Sequence, residues 1–217
     1  MKLKSALRAL ALLAVGLAAA CDRGGEKSAK DADGAAAAVK KGVKPEADAQ
    51  AAVIETDYGR IVVELYPNIA PRMVERFKTL AGQKFYDGTA IHRIDPELGI
   101  IQGGDPNSKD AVPENDGMGS SGEPNLPAEF SDIIYERGTV GAARAQDENS
   151  ANCQFYITLK RQPAFDNRYT VFGKVIEGIP DPADIIARAP LAEGTQDRPA
   201  ERITVKSITL APRSNFK

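Results

Sequence analysis

The pattern of hydrophobic and polar positions changes character near residue 51. Before that point, residues 22–50 consist mainly of Ala, Lys, Asp, Glu and Gly, with almost no aromatic or β-branched side chains. Such a segment buries too little apolar surface to offset the entropy lost on ordering. We therefore expect residues 22–50 to form a flexible tether and residues 51–212 to form the folded domain.

Beyond the tether, the pattern predicts short strands separated by turn residues. Residues 53–56 and 60–66 are rich in β-branched side chains and flank Asp57, Tyr58 and Gly59, which is typical of a hairpin. Further strands are predicted at residues 90–94, 100–102, 138–142, 154–158, 170–175 and 202–209.

Two helices are predicted among these strands. Apolar side chains recur at three- and four-residue spacing through residues 72–81, where Pro71 begins the pattern and Gly82 ends it. A shorter helix is predicted at residues 183–189. Many short strands with two helices indicate an antiparallel barrel or sandwich with helical caps. Residues 105–129 have no periodic pattern, and loops of this length are usually functional or disordered.

The first 21 residues have the pattern of a secretory signal peptide. Basic residues near the start precede an apolar stretch over residues 9–17, which is too short for a comfortable membrane span. Small side chains then lead directly to Cys21. This arrangement resembles the lipobox of bacterial lipoproteins, in which cleavage leaves an acylated cysteine as the first residue. The alternative is an ordinary signal peptide with an incidental cysteine.

An acylated Cys21 implies attachment to a membrane outside the cytoplasm. Buried acyl chains contribute roughly 0.8 kcal/mol per methylene, and two or more chains form a stable anchor. Asp22 resembles an inner-membrane retention signal of enterobacterial lipoproteins. In a Gram-negative host, this implies the periplasmic face of the inner membrane.

Charge and composition exclude several classes of partner. The formal net charge of −2 gives no reason to expect nucleic acid, which favours a basic domain. Cys21 and Cys153 are too few and too far apart for a zinc site or a disulfide framework. Since His92 is the only histidine, we expect no metal and no cofactor. We also expect a monomer.

Three ordered segments carry the functional information. The first comprises residues 85–94, FYDGTAIHRI, and 100–105, IIQGGD; the second is 141–157, from GAARA to QFYI; the third is 165–175, from FD to YTVFGKV. In this order and spacing they resemble the cyclophilin-type peptidyl-prolyl cis/trans isomerases. The resemblance extends over about residues 51–212. It implies a mainly β fold, a closed eight-stranded antiparallel cyclophilin-like β-barrel capped by two helices.

The resemblance also implies an activity, the non-covalent rotation of X–Pro amide bonds in proline-containing polypeptides. Rotation breaks amide resonance and crosses a barrier of roughly 20 kcal/mol. The prolyl nitrogen is pyramidal only in the transition state, so a fixed donor aimed at it lowers the barrier selectively. Arg93 aligns with the family's catalytic arginine, and Gln102 aligns with the glutamine that supports it.

Substrate-binding residues follow from the same alignment. Ile100, Tyr156 and Phe165 stand where the family places its apolar proline pocket. Gln154 aligns with a second glutamine that binds substrate backbone. Tyr169 stands where many members have histidine.

The residues before proline are expected to bind along Ala143, Arg144 and Ala145. The side chain of Arg144 is expected either over the groove or in solvent. His92 is not predicted to be catalytic, because strand alternation turns it away from Arg93 and the reaction needs no general base.

One departure from the family pattern leaves an alternative open. Residues 95–99 are one residue longer than the family spacing, and Leu98 or Gly99 replaces an expected phenylalanine. This motivates a catalytically weak chaperone or adaptor that only binds proline-containing segments. A lipoprotein that borrows the fold without its function is disfavoured by the intact Arg93. Cys153 is expected to be a small packed residue rather than a nucleophile.

Overall fold

Eight β-strands form a closed antiparallel barrel in the computed structural model, which describes residues 37–217. The strands are β1 (Gln50–Thr56), β2 (Gly59–Leu65), β3 (Thr89–Asp95), β4 (Ile100–Gly103), β5 (Thr139–Ala142), β6 (Phe155–Thr158), β7 (Val171–Glu177) and β8 (Thr204–Pro212). Their order around the barrel is β1-β2-β7-β5-β6-β4-β3-β8, and β8 pairs with β1 to close it. Each strand therefore has a paired neighbour on both sides, although β3 and β8 pair at only two positions. The predicted fold class is confirmed.

Two α-helices, α1 (Pro71–Gly82) and α2 (Ala183–Ala187), pack against the barrel. Proline suits the first helical position of α1, where a backbone N–H has no intrahelical partner. The buried carboxylate of Glu129 accepts hydrogen bonds from the N–H groups of Arg72 at 3.2 Å and Met73 at 3.0 Å. A negative charge at this end of the helix also complements the helix dipole.

The main apolar cluster fills the barrel interior, and both helices contribute to it. The ring of Phe77 in α1 lies 5.2 Å from that of Tyr86, 5.6 Å from Phe155 and 5.4 Å from Phe172. None of these four side chains is more than 1% exposed. Ile186 of α2 belongs to the same cluster, which we call the interior cluster.

The last part of the predicted tether is held against the domain. The N–H of Lys40 donates to the carbonyl of Phe130 at 2.9 Å, and the N–H of Asp132 donates to the carbonyl of Lys40 at 2.9 Å. The folded unit therefore begins before residue 51. Backbone pairing holds this exposed segment, and a hydrophobicity pattern cannot reveal such pairing.

The predicted signal peptide, including Cys21, and residues 22–36 of the predicted tether lie outside the described residues. Within residues 37–217, every helix is too short or too polar to cross a lipid bilayer.

Candidate active site

Arg93 lies on the outer side of the barrel wall, next to a bulge in β3. The register of β3 against β4 shifts between Ile91 and Arg93, which inserts one extra residue at His92. Strict alternation is therefore broken, and Ile91 and Ile94 both join the interior cluster. The side chain of Arg93 is left 33% exposed. Bulges beside functional sites commonly re-aim a side chain in this way.

Arg93, Gln102 and Tyr156 form one row across β3, β4 and β6. Arg93 is the cross-strand partner of Gln102, and Gln102 is the partner of Tyr156. Side chains at directly opposed positions have their Cβ atoms within about 5.5 Å. The row therefore joins the predicted catalytic residues to the predicted proline pocket.

A chain of hydrogen bonds runs from the arginine to the long loop after β4. Arg93 Nη1 donates to Gln102 Oε1 at 3.3 Å, and Gln102 Nε2 donates to Gln154 Oε1 at 3.0 Å. Gln154 Nε2 donates to the carbonyls of Gly117 at 3.0 Å and Gly119 at 3.1 Å. Part of the unpatterned segment 105–129 is therefore ordered as a wall of the site.

Two carboxylates hold the other side of the guanidinium, and the sequence had singled out neither. Arg93 Nη2 donates to Asp95 Oδ2 at 2.7 Å, and Arg93 Nε donates to Asp197 Oδ2 at 2.8 Å. Asp197 is 104 residues from Arg93 along the chain. No local pattern could have connected them, because the contact exists only in the folded barrel.

The residues predicted for the proline pocket come together in a second apolar cluster. The ring of Phe165 lies 5.6 Å from that of Tyr156 and 4.9 Å from that of Tyr169. Ile100 belongs to the same cluster, and Leu98 packs at its edge. We call this the groove cluster. Leu98 thus contributes an aliphatic side chain, and no aromatic ring, at this edge of the groove cluster.

The stretch predicted to receive the residues before proline lies beside this cluster. Ala143 packs against the groove cluster, and its N–H donates to the carbonyl of Gln154 at 3.0 Å. The guanidinium of Arg144 lies 4.4 Å from the ring centre of Tyr169 and donates to the carbonyl of Ala145 at 2.9 Å. Of the two expected positions, Arg144 therefore adopts the one over the groove, where the face of the tyrosine ring attracts its guanidinium.

A surface cavity of about 290 Å³ opens between this stretch and the long loop. Its lining includes five of the predicted site residues and one exposed methionine of the loop: Gln102, Ala143, Arg144, Ala145, Gln154 and Met118. Gln102 connects the two regions, because it lines the cavity and is the cross-strand partner of Tyr156 in the groove cluster. Together they form an open surface that suits an extended peptide with an apolar ring at one end.

The family assignment comes from comparison with known proteins. A family model described as cyclophilin-type peptidyl-prolyl cis-trans isomerase matches residues 51–210. The chain belongs to this family. It is therefore a peptidyl-prolyl cis/trans isomerase, and the match spans the whole barrel apart from the outer ends of β1 and β8.

Individual cyclophilin-type relatives support the same assignment. A probable peptidyl-prolyl cis-trans isomerase of Brucella suis is 37% identical over 160 residues, which is 72% of this chain and 81% of that protein. A peptidyl-prolyl cis-trans isomerase of Schizosaccharomyces pombe is 33% identical over 165 residues, covering 72% and 97%.

Solved structures of a cyclophilin-type isomerase from Cryptosporidium parvum have the same fold. One aligns with a TM-score of 0.65 at 27% identity and covers 75% of this chain and 97% of that chain. A second, determined in the presence of the dipeptide Ala-Pro, aligns with a TM-score of 0.65 and covers 74% and 98%.

The groove cluster of this cyclophilin includes a fully buried tyrosine, Tyr135, which sequence reasoning missed. Its hydroxyl accepts a hydrogen bond from that of Tyr156 at 3.0 Å, and the two rings stack at 6.0 Å. A Cβ on Gly141 would lie 2.4 Å from Cζ of Tyr156, so the glycine makes room for the pair. Burial raises the pKa of Tyr156 well above its ordinary value, so the hydroxyl stays protonated. Tyr135 follows an unpatterned segment, which offered no signal.

His92 is covered by the long loop rather than presented to the groove. It is 7% exposed, and Gly117 lies against its imidazole. Burial lowers the pKa of His92 and favours the neutral form. The alternation expected for His92 and Arg93 does not hold across the bulge, and the loop is what separates His92 from the groove. Cys153 is fully buried, and burial raises the pKa of its thiol to about 12.

Proposed function

We propose that this isomerase acts on X–Pro bonds of polypeptides outside the cytoplasm, and that Arg93 stabilises the transition state by donating a hydrogen bond to the prolyl nitrogen. The observation that supports this is the row of Arg93, Gln102 and Tyr156 across three paired strands. It places a charged donor beside an apolar aromatic cluster. Rotation of a prolyl amide needs this combination, because the ring is apolar and the adjacent nitrogen becomes an acceptor only in the transition state.

The energetic demand on the site is modest. An acceleration of about 10⁵ requires about 7 kcal/mol of selective stabilisation. A charged hydrogen bond in a partly buried site and a clamp on the neighbouring amide suffice for this magnitude. No proton has to be transferred, which agrees with the covered position of His92.

The substrate is proposed to lie with its proline ring against the groove cluster. The ring contacts Ile100, Tyr156 and Phe165, with Tyr169 at the edge. Gln102 and Gln154 hydrogen-bond the substrate backbone, and the preceding residues lie along Ala143, Arg144 and Ala145. A solved relative was crystallised in the presence of Ala-Pro, a minimal X–Pro unit, which supports this class of ligand.

The aliphatic side chain of Leu98 favours a second candidate, a binding module with weak catalysis. An apolar wall without an aromatic ring still holds proline, but it constrains the ring less. Such a protein would bind proline-containing segments of unfolded chains without accelerating their isomerisation.

A protease-coupled assay on an X–Pro peptide separates the two candidates. For the enzyme, we expect Arg93→Ala to lower kcat/KM by about 10² to 10³ with the fold intact. Arg60→Ala is the matched control, because Arg60 is also an exposed arginine paired with a carboxylate, Glu177, but lies on β2. It should leave kcat/KM unchanged. Equal, near-background rates for wild type and Arg93→Ala, with peptide binding retained, would establish the binding module instead.

The extracytoplasmic setting rests on Cys21, which is proposed to carry the lipid anchor. Mass spectrometry of the mature protein is expected to show an N-terminal, acylated Cys21. Cys21→Ser should abolish the modification and release the protein from the membrane fraction. An unmodified mature chain, or one that begins at another residue, would contradict the anchor and leave the isomerase proposal untouched.

A further inference from the structure

The segment between α2 and β8 contains a short hairpin, residues 190–200, that lies against β3. Leu191 and Pro199 form an antiparallel bridge, and Leu191 packs against the interior cluster. Nη1 of Arg198 pairs with Glu114 of the long loop at 3.2 Å. The hairpin is thus attached both to the core and to the loop that forms a wall of the groove.

Asp197 connects this hairpin to β3 through both its backbone and its side chain. β8 pairs with β3 only at Thr89 and Ala90, so the rest of this edge needs another partner. There the carbonyl of Asp197 accepts a hydrogen bond from the N–H of Ile94 at 2.6 Å. Its carboxylate accepts one from Nε of Arg93 at 2.8 Å. Two contacts to neighbouring residues of β3 fix both the position and the orientation of Asp197.

We propose that Asp197, acting with Asp95, is a positioning residue for the catalytic arginine. A guanidinium group has five N–H bonds. Asp197 binds the one on Nε, Asp95 binds one on Nη2 at 2.7 Å, and Gln102 accepts one from Nη1 at 3.3 Å. One N–H on each terminal nitrogen remains for the substrate. The partners come from three separate positions, so the guanidinium cannot rotate freely on its flexible stem.

The physical effect is preorganisation. Arginine carries large rotamer entropy, and here that entropy is lost on folding rather than in the transition state. The inference rests on the proposed role of Arg93. The carboxylates could have the opposite effect and inhibit catalysis, if their two negative charges weakened the cationic donor. Removal of Asp197 distinguishes these effects, because loss of a positioning residue lowers kcat, whereas loss of an inhibitory charge raises kcat.

The test measures kcat and KM separately for the full chain and follows the Nε–H resonance of Arg93 by NMR. Asp197→Ala is expected to lower kcat about tenfold, the size of one charge-assisted hydrogen bond, and to leave KM within about twofold. The Nε–H of Arg93 should exchange faster with solvent. Asp197→Asn keeps an acceptor and should retain most of the activity and a protected Nε–H. An unchanged or raised kcat in Asp197→Ala would overturn the proposal.

Glu114→Ala is the matched control. This substitution removes the ion pair between Glu114 and Arg198 of the hairpin, whose N–O distance is 3.2 Å, and leaves the contacts of Arg93 intact. We expect kcat within about twofold of wild type, because Glu114 is largely exposed in this ion pair. Equal losses in Glu114→Ala and Asp197→Ala would mean that hairpin stability matters rather than the carboxylate, and would also overturn the proposal.

A double-variant cycle separates this inference from the proposed function. If Arg93→Ala is as active as wild type, the role of Arg93 fails. If Arg93→Ala is impaired but Asp197→Ala is not, only the positioning role fails. With both roles correct, adding Asp197→Ala to Arg93→Ala should cause no further loss, because Asp197 acts through the arginine. A further tenfold loss would contradict this.

Discussion

The interior cluster and the groove cluster meet at consecutive residues of β6 and differ in what surrounds their rings. Phe155 belongs to the interior cluster, whereas Tyr156 belongs to the groove cluster. Consecutive strand residues point to opposite faces, so one strand supplies both. Phe155 is packed among the rings of Phe77 and Tyr86. Tyr156 instead has a polar edge, the hydroxyl that donates to Tyr135.

This difference indicates that the two sides of the barrel wall have different roles, stability on the inside and ligand binding on the outside. The rings at the centre of the interior cluster are at most 1% exposed and lie away from the predicted substrate groove, so we expect them to act on stability alone. The groove cluster is interrupted by polar groups, including the guanidinium of Arg144 over Tyr169. A surface that must bind and release a ligand cannot be covered permanently. Substitutions on the two sides should therefore separate stability from activity.

The largest expected effect is on the interior side. Phe155→Ala should lower the free energy of unfolding by about 3 to 5 kcal/mol, because it removes a fully buried ring and leaves a cavity. Urea unfolding followed by circular dichroism measures this loss. Under conditions where the variant is fully folded, kcat/KM should stay within about twofold of wild type, because the ring of Phe155 points to the opposite face of β6 from Tyr156. A large decrease in kcat/KM in the folded variant would contradict the separate roles of the two clusters.

In the groove cluster, Phe165→Ala should reduce activity more than it reduces stability. Phe165 remains 8% exposed at the cluster surface, so its loss should lower the free energy of unfolding by about 2 kcal/mol. We expect kcat/KM to fall about tenfold or more, since the proline ring loses a wall of its pocket. The same assays apply to both variants. If Phe165→Ala kept full activity and lost as much stability as Phe155→Ala, the two clusters would be equivalent after all.

The smallest expected effect concerns His92, which belongs to neither cluster. Because burial lowers its pKa, the unfolded chain, with an ordinary pKa of 6.5, binds a proton before the folded chain does. The stability contributed by neutral His92 is therefore present above pH 6.5 and is lost as the pH falls below it. The slope is at most about 1.4 kcal/mol per pH unit. His92→Gln should flatten the unfolding free energy between about pH 7 and pH 5 relative to wild type. An identical pH dependence in the two proteins would contradict the assignment.

The strands and helices could be predicted because their evidence is local, whereas the closed barrel was an implication of the family resemblance. Each predicted strand and both helices have a counterpart in the structure, although β8 extends to Pro212 and α2 ends at Ala187. The groove residues were also predictable, since three ordered segments carry them. The sequence left two positions open for the side chain of Arg144, and the nearby ring of Tyr169 decides between them in favour of the groove. The expectation of a flexible tether does not hold for residues 37–49, where backbone pairing replaces apolar burial.

The sequence pattern by itself determined the strands, the two helices and a barrel or sandwich, because alternation and turns act over short distances along the chain. The candidate site residues came from the resemblance to the cyclophilin family that three ordered segments carry. Only the tertiary structure decided how the arginine is held. The bulge at His92 needs the register of β4, and the contact between Asp197 and Arg93 needs a hairpin 104 residues away. Such contacts arise from closure of the barrel, which brings distant segments together without leaving a pattern in either one.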